Sequence, residues 1–387
     1  MYCFDDVISR WNTSSTKWDG AAAEYQLKDI LPMWVADMDF ACPNPVIEAV
    51  RKRAEHPVYG YSFPPEECLE AITDKLEREN GWKIQKEWIV FTHGVVDGLN
   101  SAVRAVTKPG DRVMVQPPVY YPFYHVIRHN QCELVKNPLV IRDGKYVMDF
   151  EGMEECLKTG VKAFILCSPH NPVGRVWTKA ELERVLELCA AYDCTLLSDE
   201  IHCDLVYEPY VHTATAGLET SGKCISFYAA SKTYNVPGLT TAFAVIEDEK
   251  MRKEFLNARM GHHGGNLFGY EAITAAYGKS QDYRYELLNY LRGNIEYFAS
   301  YVRKEFPLVK VYETEGTYLI WADFRGYQCS EEELNRGFVE KCGLILDKGS
   351  MFGQEGEGFF RFNLACPRSF VKQALDLMKE FLADKAV

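Results

Sequence analysis

The middle of the chain alternates short apolar runs with amphipathic stretches, and this alternation constrains the fold more than any other feature. Val95, Leu99 and Val103 recur at helical spacing, and the Pro109–Gly110 pair ends that helix. The runs that we predict as strands are Arg112–Gln116, Lys162–Ser168, Thr195–Ser198, Cys224–Tyr228 and Ala242–Ile246. Such alternation is typical of βαβ units and a mostly parallel sheet. Functional side chains are then expected at the carboxyl ends of the strands.

The C-terminal part of the chain has a different pattern. Lys310–Val311 and Tyr318–Phe324 are predicted strands of a second sheet, and Ser369–Leu382 is a predicted amphipathic helix. We therefore expect an α/β protein with two domains. The large domain would cover residues 46–285. The smaller α+β domain would combine residues 1–45 with 286–387.

Charge and cysteine content exclude several classes of function. The 387 residues include 43 basic and 55 acidic side chains, a net charge of −12. This balance argues against non-specific binding to nucleic acid or to a membrane surface, since both require a basic face. The sequence shows neither an apolar run approaching about 18 residues, as a membrane span needs, nor a signal peptide. The thirteen cysteines form no CxxC pair, so we expect reduced thiols in a cytosolic protein and no metal site.

Two polar motifs follow predicted strands directly. Asn171 lies in SPHNPVG, where two prolines and a glycine fix an irregular backbone at a strand end. Asp199 lies in SDEIH, where a carboxylate can meet a cationic group on a bound ring. Each motif alone is also compatible with a purely structural role, namely an αβ turn for Asn171 and a helix cap or surface acid for Asp199.

Three further positions are candidates for a catalytic or ligand-binding role. Lys232, a few residues after the predicted strand Cys224–Tyr228, can form a Schiff base if its pKa is lowered; the alternative is an exposed loop lysine. Arg361, in FFRFNLACPR, can grip a carboxylate with two N–H groups; the alternative is a structural ion pair. The helix that starts at Val95, after Gly94, offers backbone N–H groups to a phosphate.

The order of these residues along the chain, together with six phrases, resembles one enzyme family. The phrases are LPMWVADMDF (31–40), PVYYPF (118–123), LCSPHNPVGRVW (166–177), SDEIH (198–202), ASKTYN (230–235) and RFNLACP (361–367). They are similar to those of the fold-type I pyridoxal-phosphate (PLP) enzymes of the class I/II aminotransferase superfamily. More narrowly, they resemble the cystathionine β-lyase branch that includes MalY, PatB and cystalysin. The resemblance implies a large domain with a mostly parallel seven-stranded sheet.

The resemblance also implies a role for each matching residue. Lys232 would carry PLP and act as the catalytic base, with Tyr121 assisting proton transfer. Arg361 and Asn171 would bind the substrate α-carboxylate. The residues expected to bind the cofactor are Val95, Val96 and Ser231 at the phosphate, Tyr120 on the ring face, Asn171, Asp199 and His202 around the ring, and Tyr61 reaching the phosphate of a neighbouring subunit. The protein would be a cytosolic homodimer that shares its active sites and serves methionine biosynthesis.

Two departures from many aminotransferases favour the lyase branch. His202 takes the place of a tyrosine three residues after the aspartate, and Thr240 takes the place of a phosphate-binding arginine. The implied reaction is α,β-elimination on L-cystathionine or a related L-cysteine S-conjugate, which gives a thiol, pyruvate and ammonia. Transamination would use the same residues and stays open as the first alternative. A second alternative is a role in binding a transcription regulator, as MalY does.

Overall fold

A computed structural model describes residues 2–218, 222–261, 264–383 and 385. The helices are α1 (Ala21–Tyr25), α2 (Asn44–Glu55), α3 (Glu66–Asn80), α4 (Val95–Val106), α5 (Pro122–His129), α6 (Phe150–Lys158), α7 (Lys179–Ala191), α8 (Glu249–Ala258), α9 (Leu267–Lys279), α10 (Gln281–Glu305), α11 (Glu331–Cys342) and α12 (Arg368–Ala383). The strands are β1 (Leu31–Pro32), β2 (Ile89–Thr92), β3 (Arg112–Val115), β4 (Glu133–Lys136), β5 (Val140–Arg142), β6 (Lys145–Val147), β7 (Val161–Cys167), β8 (Thr195–Asp199), β9 (Cys224–Tyr228), β10 (Ala242–Val245), β11 (Lys310–Val311), β12 (Leu319–Asp323), β13 (Leu344–Ile345), β14 (Asp347–Lys348) and β15 (Phe359–Asn363). None of the described helices is long and apolar enough to cross a membrane.

Seven strands form the central sheet in the order β2-β10-β9-β8-β7-β3-β4. Strands β9, β8, β7, β3 and β4 pair in parallel, whereas β10 is antiparallel to both of its neighbours. Both faces of a parallel sheet are covered by helices, which explains why these strands are continuous apolar runs. The predicted mostly parallel seven-stranded sheet is confirmed.

Local sequence signals place the elements around this sheet. Helix α4 has the predicted apolar face, with Val95, Leu99 and Val103 buried. Helix α7 begins with a capping box, in which Thr178 and Glu181 each bond the other's backbone N–H. The register of β7 and β8 sets Cys167 opposite Asp199. The ends of two strands that carry candidate residues therefore lie side by side.

A second, antiparallel sheet has the order β11-β12-β15-β14. The 25-residue helix α10 connects the two parts of the molecule, because Tyr283 and Leu287 pack in the core beside the large sheet while Phe298 and Val302 pack against the second sheet. The N-terminal arm joins the C-terminal part through the parallel pairing of β1 with β13. The division into residues 46–285 and the two flanking segments stays a prediction.

A buried ion pair anchors the N-terminal arm. Lys17 is fully buried, and its Nζ lies 2.6 Å from Asp39 Oδ2. Asp39 Oδ1 accepts from Trp18 Nε1 at 2.9 Å and from Arg10 Nη1 at 3.0 Å. Arg10 also grips Asp37 with both Nη atoms. These bonds fix residues 37–39, which continue directly from the segment that reaches the cavity described below.

Replacing Asp39 with Asn should destabilise the protein by roughly 3 kcal/mol, because it removes the nearer of the two carboxylates that compensate the buried Lys17. The free energy of unfolding in urea measures the loss. The matched control is Lys253→Met, which breaks an exposed pair with Glu249 and should cost less than about 1 kcal/mol. Equal losses in the two variants would contradict the anchoring role of Asp39.

Candidate active site

One cavity lies where β7, β8 and β9 end and α4 begins. Its lining includes eight of the residues singled out from the sequence: Val95, Val96, Tyr120, Asn171, Asp199, His202, Ser231 and Lys232. These residues come from five separate segments of the chain. As the parallel topology predicts, the carboxyl ends of the strands bring them together.

Asp199 is buried at the end of β8. Its Oδ1 accepts from the backbone N–H of Ile201 at 3.1 Å. Burial raises the pKa of its carboxyl to about 7, against the opposing effects of the Ile201 N–H and the Lys232 charge. A carboxylate in this position is poorly solvated, so it strongly favours a cationic partner inside the cavity.

The neighbouring Glu200 points into a different network. Its carboxylate accepts from Ser226 Oγ at 2.7 Å and from Tyr228 OH at 2.8 Å. The Nε2 atom of His212 lies 2.8 Å from the same carboxylate. Because these bonds hold the Glu200 side chain in place, they also fix the adjoining backbone that carries Asp199.

Lys232 approaches the cavity from the loop after β9. Its Nζ donates to the carbonyl of Ala36 at 2.7 Å, and the hydroxyl of Tyr318 donates to the same oxygen at 2.9 Å. Burial lowers the pKa of Lys232 to about 8, and the charge of Arg361 adds to this effect. A much larger fraction of this amine than of an ordinary lysine is therefore neutral, and so nucleophilic, near neutral pH.

Arg361 lies on β15 and reaches the cavity through Asn171. Its Nη1 donates to Asn171 Oδ1 at 2.9 Å, and its Nη2 donates to the carbonyl of Trp34 at 3.0 Å and to Asp347. Burial raises the pKa of the Asp347 carboxyl, although the charge of Arg361 opposes the shift. Arg361 thus has the acidic partner of the structural alternative, and it also contacts a cavity residue.

The start of α4 forms the opposite wall. Gly94 caps this helix, and Val95 and Val96 are its first residues. The first backbone N–H groups of a helix have no partner within the helix, so they suit an anion. The backbone N–H of His93 donates to Asp97 Oδ2 at 3.2 Å, so this first-turn carboxylate bonds the chain just before the helix.

The aromatic and histidine residues predicted at the site differ in their burial and in their distance from the cavity. His202 is buried, its ring meets the ring of Tyr318 edge-on, and burial lowers its pKa well below the usual value. Tyr120 lines the cavity, whereas Tyr121 is half-buried beside the Tyr120 and Phe352 rings. Tyr61 is fully exposed and does not line the cavity of its own chain.

Comparison with known proteins supplies the family. Residues 28–377 match the model of the aminotransferase class I and II family. The chain belongs to this family. It is 40% identical to cystathionine β-lyase PatB of Bacillus subtilis (strain 168) over 98% of this chain and 100% of the relative.

Solved structures of the family have the same fold. Cystalysin from Treponema denticola, which contains pyridoxal 5′-phosphate, has a TM-score of 0.96 and 34% identity over 99% of each chain. The PLP-bound C–S lyase from Staphylococcus hominis has a TM-score of 0.93 and 30% identity over the whole of both chains. Both relationships extend through the second sheet as well as the first, because they cover 99% or more of the chain.

Side-chain chemistry in the cavity matches the groups of PLP. Lys232 supplies an amine for the aldehyde, Asp199 a carboxylate for a protonated ring nitrogen, and the α4 start an anion site for the phosphate. The Nδ1 atom of His202 is buried and has no hydrogen-bond partner among the described residues. An unpartnered buried nitrogen in this lining is expected where a ligand completes the site.

Sequence reasoning assigned no role to several residues that shape the cavity. Ala36, Cys167 and Thr241 line it, and Tyr318 shares the Ala36 carbonyl with Lys232. Ala36 and Cys167 lie within the phrases LPMWVADMDF and LCSPHNPVGRVW, so their neighbourhood carried a signal. The role of Ala36 was not visible in the sequence because Ala36 acts through a backbone carbonyl, which any residue type provides.

The lowered pKa of Lys232 predicts its reactivity. In apoprotein treated with trace acetic anhydride, acetylation of Lys232 should reach half its maximal rate near pH 8, because only the neutral amine reacts. Mass spectrometry of the Lys232 peptide gives the profile. Arg361→Met should move the half-maximum to higher pH, because it removes a neighbouring positive charge. A half-maximum near the ordinary lysine value of about 10.4 would contradict the description of the site.

Proposed function

We propose that this protein is a PLP-dependent carbon–sulfur β-lyase that cleaves L-cystathionine or a related L-cysteine S-conjugate. The observation that supports the proposal is that two site residues donate hydrogen bonds to the same backbone segment. Arg361 donates to the carbonyl of Trp34, and Lys232 donates to the carbonyl of Ala36, two residues further along. A carboxylate-binding group and a base are thereby fixed close together, as removal of a proton from the α-carbon of an amino acid requires.

Residues of this chain would hold the cofactor through its separate groups. Lys232 would bind it covalently, Asp199 would bond the ring nitrogen, Tyr120 would cover the ring, and the start of α4 with Ser231 would bind the phosphate. When bound, the protonated ring accepts the electron pair left at the α-carbon of the substrate. The raised pKa of Asp199 reflects burial, and a cationic ring nitrogen compensates that burial.

The reaction then follows from the amine and the guanidinium. Arg361 and Asn171 bind the α-carboxylate and orient the bond between the α-carbon and its hydrogen. Lys232, as the neutral amine, takes that proton. The bond from the β-carbon to sulfur breaks with its electron pair on sulfur, and the thiolate takes up a proton. Hydrolysis of the remaining three-carbon unit gives pyruvate and ammonia, so one water is consumed.

Transamination is the alternative that uses the same residues. The relative and the solved structure named as lyases support elimination over it. His202 and Thr240 agree with this choice, since both occupy positions where many aminotransferases carry a tyrosine and an arginine. The resulting assignment places the enzyme among the cystathionine β-lyases.

A homodimer with shared active sites is part of the proposal. Its support is the loop before α3, where Val58, Tyr59, Tyr61 and Phe63 are exposed together. Contiguous exposed apolar side chains typically mark a protein interface. Tyr61 would reach the phosphate site of the partner subunit. The thirteen cysteines are all free thiols, which supports a cytoplasmic location, and a place in methionine biosynthesis stays a prediction.

The activity is tested with L-cystathionine in the absence of any keto-acid acceptor. The wild-type holoenzyme should release pyruvate, and Lys232→Ala should lose at least about 100-fold in kcat because the base is gone. Lys223→Ala, at a partly exposed lysine paired with Asp193, is the control and should keep full activity. Turnover that depends on added keto acid would point to transamination instead.

The shared site predicts complementation between two inactive variants. In a Tyr61→Ala and Lys232→Ala heterodimer, one site has both Lys232 and the Tyr61 of the other subunit. Random mixing of subunits should restore about a quarter of wild-type activity, because half the dimers carry one intact site of two. If mixing restores nothing while heterodimers form, Tyr61 does not act across the interface.

A further inference from the structure

The guanidinium of Arg361 is already largely occupied by groups of the protein. Of its five N–H donors, one binds Asn171 Oδ1 from Nη1, and two bind the Trp34 carbonyl and Asp347 from Nη2. The Nε atom is buried without a partner among the described residues. The ring of Phe352 covers one face, with its centre 4.8 Å from the guanidinium carbon.

This arrangement limits how a carboxylate can approach. A guanidinium presents paired, parallel N–H groups on two edges, and both edges include Nη2. Both Nη2 hydrogens have acceptors in this protein. A carboxylate bound by two N–H groups must therefore share an Nη2 hydrogen with either Asp347 or the Trp34 carbonyl, and in both cases Asp347 is bonded to the same nitrogen.

Asp347 is held opposite Arg361 by the backbone. The two residues are directly opposite each other in the antiparallel pairing of β14 with β15. Both side chains are 4% exposed, so their charges interact with little screening by water. The ion pair is thus fixed by the second sheet and does not depend on a flexible surface contact.

We propose that Asp347 is a specificity-determining residue that weakens the binding of free carboxylates at Arg361. The inference rests on the proposed function, in which Arg361 binds the substrate α-carboxylate. A second carboxylate placed beside Asp347 meets like-charge repulsion in a buried site. An amino acid offsets this repulsion because its amine joins the cofactor and its other groups bind elsewhere. A carboxylic acid without an amine, such as pyruvate, has no such compensation.

The functional consequence is release of the product. Pyruvate retains the carboxylate by which the substrate was bound, so an uncompensated Arg361 would hold it. Asp347 competes for the same guanidinium and lowers the affinity for such an anion. The residue therefore separates amino-acid substrates from keto-acid products, which differ in the amine and not in the carboxylate.

The test measures binding of 3-(methylthio)propanoate and its amide to the holoenzyme by isothermal titration calorimetry. In Asp347→Asn, the Kd of the acid should fall about tenfold, since the isosteric amide keeps a hydrogen-bond acceptor and removes the charge. The Kd of the uncharged amide ligand should stay within about twofold of wild type. The control is Asp323→Asn in the same sheet, where Asp323 pairs with Arg325; it should change neither value.

An unchanged or weaker affinity for the acid in a folded Asp347→Asn protein would overturn the proposal, because it would mean that Asp347 only orients Arg361. Asp347→Ser serves as the second variant if the Asn protein fails to fold, with the same expected direction. The binding assay involves no turnover. Tighter binding of the acid by a protein that does not cleave L-cystathionine would therefore contradict the proposed function alone.

Discussion

Backbone carbonyls of residues 34–38 connect the parts of this active site. The carbonyls of Trp34, Ala36 and Met38 accept in turn from the side chains of Arg361, Lys232 and Asn235. The carbonyls of Val35 and Asp37 both accept from Asn363 Nδ2 at 2.6 Å. The segment thus receives donors from β15 on one side and from the lysine loop on the other. Its position determines how far the guanidinium lies from the amine, and buried ion pairs fix it in turn.

The pKa values of two groups in the cavity follow from this geometry. Arg361 and Lys232 are both cationic groups near one another, and the guanidinium cannot lose its proton. Burial lowers the pKa of Lys232, and the nearby charge of Arg361 lowers it further. Burial acts in the opposite direction on Asp199, whose pKa rises. The same buried surroundings thus shift the pKa values of an amine and a carboxyl toward neutral pH, where both groups can exchange protons.

The sequence predicted the sheet and most of the cavity for identifiable reasons. Apolar periodicity marks β7, β8 and β9, and topology then requires Asn171, Asp199 and Lys232 to meet at their ends. The roles of Ala36 and Tyr318 were not predictable in the same way. Ala36 contributes a carbonyl, and Tyr318, which immediately precedes β12 of the second sheet, reaches it from far away in sequence. Long-range hydrogen bonds to backbone leave no pattern in residue type.

Arg361 shows that two interpretations of the same residue need not exclude each other. From the sequence, a carboxylate clamp and a structural ion pair were competing interpretations. In the structure the ion pair with Asp347 exists, and the same guanidinium also bonds Asn171 in the cavity. The five donors of arginine allow both at once, which a lysine with its single nitrogen could not do in this geometry. The acidic partner keeps a buried cation compensated in the absence of substrate, and it thereby makes a cationic binding site compatible with a stable fold.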